Sequence, residues 1–348
     1  MIDEAKEIRK GEALDWTKLE AYLKEAVTEC VGRMTVAQFH GGHANLTYLL
    51  YFGESEFVLR RPPFGKIAPG AHDMKREFRV LSKLYKYFPQ APRAFHFCDD
   101  VEIIGSPFVI VERRKGVVVR YKLPEIFNHY DNVEERLTDA MIKSEARLHR
   151  VDVDMADLTK LGRPKGFINR QLEGWSKRWD LSKTEENHDM IEIYEILSSD
   201  IPTPQAVSIV HNDIKFDNCQ FAPDNPDEVT SIFDWDMTTL GDPLADFGMT
   251  LSYWPEPLLA KYKSLPVMLS GDFPDKDYLK EKYEAYSGYE LSQITWYEAL
   301  SYWKGAVIAQ QLYRRYVDGA TTDQRMKGFG ESAKALAEVA LIKAKTIC

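Results

Sequence analysis

The sequence is poor in cysteine, in net positive charge and in long apolar runs, and each shortage excludes something. Only four cysteines occur in 348 residues. Cys30, Cys98, Cys219 and Cys348 form no C-x-x-C pair, which argues against a zinc site and a disulfide framework alike. A reducing compartment follows. Lys and Arg number 45 against 54 Asp and Glu, a formal charge of −9, so the chain is a poor general binder of phosphate backbone. No nucleic-acid partner is expected. No window reaches about 18 uninterrupted apolar residues, and the start M-I-D-E-A-K-E-I-R-K has no apolar h-region. No membrane partner is expected, and the reading is cytoplasmic. There is no repeat period, and no G-x-x-x-x-G-K-[ST], which removes the P-loop class.

What is present begins with a helix. Asp15 or Thr17 can cap it, and Leu19, Tyr22, Leu23, Ala26 and Val27 recur at helical spacing. Strand patterns follow over 34–39, 45–52 and 56–61, with Gly53-Glu54-Ser55 as the turn between the last two. Residues 70–88 turn helical, with Met74, Phe78, Leu81, Leu84, Tyr85 and Phe88 on one face. Strands over 93–98 and 107–113 complete a small mixed lobe with an antiparallel sheet. Beyond Gly116 helices dominate, over about 134–151, 167–179, 189–197, 291–317 and 322–345. Only 207–210 and 229–233 in that half read as buried strands. The lobe boundary falls near residue 114.

The strongest chemical signal is H-N-D-I-K-F-D-N, residues 211–218, directly after the apolar run Val207–Val210. A second apolar strand ends in Asp234-Trp235-Asp236. Phosphoryl transfer needs one carboxylate to orient and deprotonate a hydroxyl, plus hard oxygen ligands for Mg²⁺ on the nucleotide phosphates. Asp213, Asn218 and Asp234 supply those groups from two loop ends, with Asp236 a further candidate ligand. Lys215 offers a point charge to the transferred phosphate.

These motifs resemble the aminoglycoside phosphotransferase/choline kinase family. The F-H-G-G-H-A-N-L-T-Y-L-L, F-V-L-R-R-P-P and R-R-Y segments are similar to the branch related to kinase-like domains found with acyl-CoA dehydrogenases. The resemblance runs from about Thr35 to Tyr316. It implies a bilobal, protein-kinase-like α+β fold: a small antiparallel-sheet lobe, 1–113, that binds nucleotide, and a larger, mostly helical catalytic and substrate lobe, 114–348. It implies Asp213 as catalytic base, Asn218 and Asp234 as metal ligands, and ATP or GTP as donor. Asn212 stands where the family usually has glycine, and Asn tolerates unusual φ better than most residues.

Upstream residues then acquire roles. Gly41-Gly42, with Asn45 following, lies between two strands where backbone N–H groups can fold over phosphates. Arg60 ends a strand where such folds usually place a lysine against the phosphates, and Glu77 on the next helix is its natural partner. The segment 108–112, F-V-I-V-E, is the expected lobe connector, placing Glu112 beside a purine base. Asp246-Phe247-Gly248 spells the protein-kinase D-F-G, but no strand delivers it to a cleft. It reads as a helix start with Asp242 as cap, and Asp246 as a brace for the catalytic loop.

The acceptor side rests on one late helix carrying Trp303 and Arg315, read as a pocket wall and as a guanidinium for an anionic acceptor. Trp175, Trp179 and Trp254 are further wall candidates. The reading is an ATP- and Mg²⁺-dependent kinase of a small-molecule hydroxyl. Its rivals are a nucleotide-binding pseudoenzyme, suggested by Asn212 and Arg60, and a protein kinase, disfavoured because no A-P-E anchor follows.

Overall fold

The computed structural model describes residues 5–40, 45–65, 72–120, 122–259, 271–321 and 323–347. Helix α1, Trp16–Ala26, starts at Asp15, whose carboxylate accepts from the Lys18 N–H. Strands β1 (Met34–Phe39), β2 (Leu46–Phe52) and β3 (Ser55–Arg61) form an antiparallel meander. Helix α2 (Met74–Leu84), β4 (Ala94–Cys98), the short helix α3 (Val101–Ile104) and β5 (Phe108–Glu112) follow. The sheet order is β1-β2-β3-β5-β4.

The two-residue period of a strand divides this sheet into two faces. Tyr48, Leu50, Phe57, Leu59, Phe108 and Ile110 pack with Leu19 and Leu23 of α1. Leu49, Val58, Val109 and Val111 pack with Val80, Leu81 and Leu84 of α2, in a core continuous with the rest of the molecule. Arg60 shares the face of Val58. Register alone therefore aims it at α2 and the second lobe.

Strand β5 ends at Glu112, and the next one, β6 (Val117–Val118), belongs to a different sheet. At the crossing a Cβ on Gly116 would come within 2.8 Å of the Phe221 carbonyl oxygen, so only glycine fits. The second lobe contains α4 (Val133–His149), α5 (Phe167–Ser182), α6 (His188–Ser199), β7 (Ser208–Val210), β8 (Cys219–Ala222), β9 (Asn225–Ile232) and β10 (Thr239–Gly241). Helices α7 (Pro243–Ser252), α8 (Lys276–Ser287), α9 (Ile294–Val317) and α10 (Arg325–Lys345) complete it. β6, β8 and β9 pair as one small sheet, β7 and β10 as another. Helix α9 runs through the centre, burying Trp296, Tyr297, Leu300, Tyr302, Trp303 and Val307. Each such side chain contributes about 1.5–3 kcal/mol by leaving water.

The expected helices stand within a few residues of their predicted ends. Five elements were not expected: the one-turn helix α3, α8, β6, β8 and β10. The three strands span only two to four residues, too short for an alternating pattern to show. Helix α8 is rich in Lys, Glu and Tyr, so its apolar stripe of Leu279 and Tyr283 is thin. Among the described residues no helix is long and apolar enough to cross a membrane.

Candidate active site

The loop after β7 is fixed from below by α7. Asp242 caps that helix by accepting from the Leu244 N–H, and Pro243 occupies its first turn. One turn on, the fully buried Asp246 accepts the backbone N–H of His211 at 2.5 Å and of Asn212 at 2.6 Å. This is the expected brace, and it explains the D-F-G spelling. Phe247 stacks on Tyr283 with centroids 3.8 Å apart. A Cβ on Gly248 would strike the backbone of Tyr297 at 2.8 Å, so the glycine lets α7 and α9 close. Burial pushes the Asp246 carboxyl up, but bonds and charge from His149 and His211 outweigh it and hold it below the usual range. Asp246 also touches His149 Nε2 at 3.1 Å, and Glu145 lies near enough that the three could crowd an ion. The Asp246 oxygens are already spent on the loop, so the cluster acts as a brace.

Asn212 has φ +69°. The left-handed backbone explains why glycine suits this place and why Asn is a tolerable substitute. Its side chain donates to the Met237 carbonyl at 3.0 Å. Burial pushes the His211 pKa down, against the charges of Asp246, Asp213 and Asp234, and its Nε2 donates to the Phe233 carbonyl at 2.8 Å.

This framework presents Asp213. Its Oδ1 accepts from Lys215 Nζ at 2.8 Å and from the Tyr253 hydroxyl at 2.5 Å, and its Oδ2 from Asn218 Nδ2 at 2.8 Å. Tyr253, just past α7, was not foreseen, because nothing in its sequence context ties it to the loop. Asn218 spends its amide nitrogen on Asp213, leaving Oδ1 as its ligand atom.

Across the cleft Asp234 follows β9 with φ +67°. Arg60 lies between two carboxylates, its Nε 2.9 Å from Glu77 Oε1 and an Nη 2.6 Å from Asp234 Oδ1. The expected Arg60–Glu77 pair is therefore present, and the same guanidinium also reaches the second carboxylate. Burial alone would raise the Asp234 carboxyl, but Arg60, His211 and Lys215 hold it below the usual range. Asp236 behaves oppositely. Burial and the neighbouring Asp234 charge push it up to about 6. Asn45 aims Nδ2 at both carboxylates, 3.5 Å from Asp234 and 3.4 Å from Asp236, and borders the same cavity as Arg60. Its Oδ1 meets His72 Nδ1 at 2.8 Å.

These groups border a cavity of about 350 Å³ lined by Arg60, Glu77, Glu112, Asp213, Lys215, Asn218 and Asp234, with Phe39, Val58, Leu81 and Val111 as its apolar walls. Asp236 does not border it. Gly41 and Gly42 lie outside the described residues. The donor set of carboxylate and amide oxygens suits Mg²⁺.

Three expectations need correction. Residues 108–111 are not a connector: they are spent in the ladder of β5 between β3 and β4. Glu112 ends that strand and lines the cavity, but its carboxylate accepts from the Arg93 N–H at 3.0 Å and from Arg114. Trp303 is 1% exposed, with its indole N–H donating to the Met190 carbonyl; it is core, not pocket wall. Arg315 is exposed in the last turn of α9. The stripe it shares with Ile308 faces outward, since Ile308 is 39% exposed, and the buried face runs through Val307 and Gln310.

Comparison with known proteins fits this geometry. Residues 35–264 match the model of the phosphotransferase enzyme family, and the chain belongs to that family. Its fold is protein-kinase-like, bilobal, with a small antiparallel-sheet lobe and a larger helical one. It superposes on a Ralstonia eutropha protein assigned as an aminoglycoside phosphotransferase with TM-score 0.79 and 28% identity, covering 96% of this chain and 99% of that one. An aminoglycoside phosphotransferase solved with ADP and hygromycin B shares the fold at TM-score 0.58 and 14% identity, over 94% of this chain and 98% of that one. Acyl-CoA dehydrogenase family member 10 of Mus musculus is 29% identical over 344 residues, 97% of this chain but 32% of the relative. The chain thus spans about a third of that relative's length.

Proposed function

We propose that the protein transfers the γ-phosphate of ATP, with Mg²⁺, to a hydroxyl of a small molecule. The observation that carries this reading is the convergence of Asp213, Asn218 and Asp234 on one cavity that also holds Arg60 and Lys215. Asp213 is the base. Its carboxylate is oriented by Tyr253, Lys215 and Asn218, and it takes the proton as the acceptor oxygen attacks the γ-phosphorus and the bond to the bridging oxygen breaks, releasing ADP. Arg60, held by Glu77, and Lys215 bring positive charge to the donor phosphates. Asn218 Oδ1 and Asp234 would hold Mg²⁺, which supplies Lewis-acid neutralisation of the phosphates. GTP is the alternative donor. The low cysteine content supports a reducing, cytoplasmic setting.

One observation favours a second reading, a nucleotide-binding pseudoenzyme. Arg60 already occupies Asp234 at 2.6 Å, and an ion pair there competes with a metal. Against it stands the intact base: a binder has no use for Asp213 with three oriented donors. Thermal-shift titration with Mg-ATP, followed by a screen of hydroxylated metabolites for ADP release, separates the two. Stabilisation with acceptor-dependent ADP release supports the kinase. Stabilisation with no ADP release across the screen supports the pseudoenzyme.

A further inference from the structure

Lys304 lies in the middle of α9, two turns on from Tyr297 and one from Ser301, on the side that packs against α7. It is 5% exposed. Among the described residues no carboxylate lies within ion-pair distance of its ammonium and no acceptor takes its N–H. The contrast with the half-buried Lys276 is plain, since its Nζ sits 2.8 Å from Glu256 and 2.6 Å from the Tyr302 hydroxyl.

What Lys304 does face is an aromatic wall. Its Nζ lies 5.6 Å from the ring centre of Trp175 on α5, and the exposed Arg178 places its guanidinium 4.4 Å over the same ring. The half-buried indole is pinned by a bond from its N–H to Gln171 Oε1 at 3.0 Å. Burial pulls the Lys304 pKa down to about 8 and Arg178 adds to this, while the charges of Asp246 and of the base Asp213 act the other way. Helix α7, which meets α9 at Gly248 and Tyr297, ends at Tyr253, whose hydroxyl donates to Asp213. An ammonium set this deeply, with only its tip open to solvent, is costly unless a partner completes it.

We propose that Lys304, with Arg178 across the face of Trp175, binds an anionic group, carboxylate or phosphate, on the acceptor and so holds its hydroxyl toward Asp213. This rests on the kinase reading and names the acceptor class: a small hydroxylated anion. It replaces Arg315 with a lysine that faces inward. Trp175 supplies the apolar surface beside the charge, and the acceptor's anion takes the place of the missing carboxylate.

The test is calorimetric, so that it does not depend on turnover. Protein saturated with Mg-AMP-PNP is titrated with glycerol 3-phosphate, glycerate, glycerol and choline, whose charges differ on similar small frames. The two anions are expected to bind about 10-fold or more tighter than glycerol or choline. Lys304→Met keeps the buried stem and should weaken both anions by about 10-fold, while Lys304→Arg restores most of that loss. Loss of anion binding in Lys304→Met with an unchanged or higher Tm fits a ligand-binding charge. Anion affinity unchanged in Lys304→Met, tighter binding of choline or glycerol, or no anion binding at millimolar concentration would each overturn the assignment. Nucleotide binding, measured first, keeps the two readings apart. A protein that ignores Mg-AMP-PNP breaks the kinase reading, whereas one that binds it and ignores the anions breaks only the acceptor assignment.

Discussion

The cleft around Asp213 and the wall around Trp175 are built on opposite electrostatic plans. In the cleft nearly every charge already has a partner: Arg60 lies between Glu77 and Asp234, and Lys215 sits on Asp213. On the wall Lys304 and Arg178 share one indole and, among the described residues, no carboxylate. The cleft is preorganised, and its ligands must exchange contacts with it. The wall is incomplete, and its ligand adds the contact that is missing. Charges paired in the resting protein set geometry, and charges left bare set specificity.

Five substitutions sharpen or break that contrast. The largest effect belongs to the base. Asp213→Asn should lower kcat by about 10²–10⁴-fold while Mg-nucleotide binding persists, and a near-wild-type kcat in steady-state ADP release would remove Asp213 from the chemistry. Next comes the metal side. Asp234→Ala should weaken Mg-AMP-PNP by about 10–100-fold, because a carboxylate ligand is lost and Arg60 loses a partner. Asp246→Ala should instead cost about 2–4 kcal/mol of stability in urea titrations, since two buried N–H groups are orphaned. Nucleotide loss at Asp246 with retention at Asp234 would exchange their roles.

Lys304 carries a smaller, pH-dependent effect. Its folded-state pKa of about 8 lies below the ordinary 10.5 of lysine. Between those values the folded chain has released a proton that the unfolded chain keeps, so stability rises with pH across the window and is lost as pH falls through 8. Lys304→Met should therefore raise Tm by about 2–4 °C at pH 7 and by progressively less toward pH 10. Thermal melts at several pH values check this, and a pH-independent difference would mean that Lys304 is not held as a bare ammonium. The smallest effect is at Asn212. With φ at +69°, Asn212→Gly trades one side-chain bond for an unstrained backbone and should change stability by less than about 1 kcal/mol. A clear loss of activity there would make the Asn212–Met237 contact part of the mechanism.

The cleft was legible in the sequence and the wall was not, for a physical reason. Asp213, Lys215 and Asn218 sit in one short loop after an apolar strand, so spacing carries their geometry. Arg60 and Glu77 follow from strand and helix register. Tyr253 reaches Asp213, and Lys304 reaches the ring of Trp175, only through the packing of the helices, which no local pattern encodes. One signal was available: Lys304 is a lone cation inside the run Trp303-Lys304-Gly305-Ala306-Val307, where the helix is buried on both sides. Arg315 misled because the periodicity of α9 names a stripe without saying which side the neighbouring helices cover. The short strands β6, β8 and β10 escaped because pairing, not composition, defines them.

The most direct measurement is phosphorus NMR of the protein with Mg-ATP and a pool of hydroxylated metabolites that includes glycerol 3-phosphate and glycerate. A transferase of this design should give a new phosphomonoester resonance that grows in step with ADP and stops when EDTA removes the metal. Production of inorganic phosphate alone, or no change in the ATP resonances, would contradict transfer to a hydroxyl at this site.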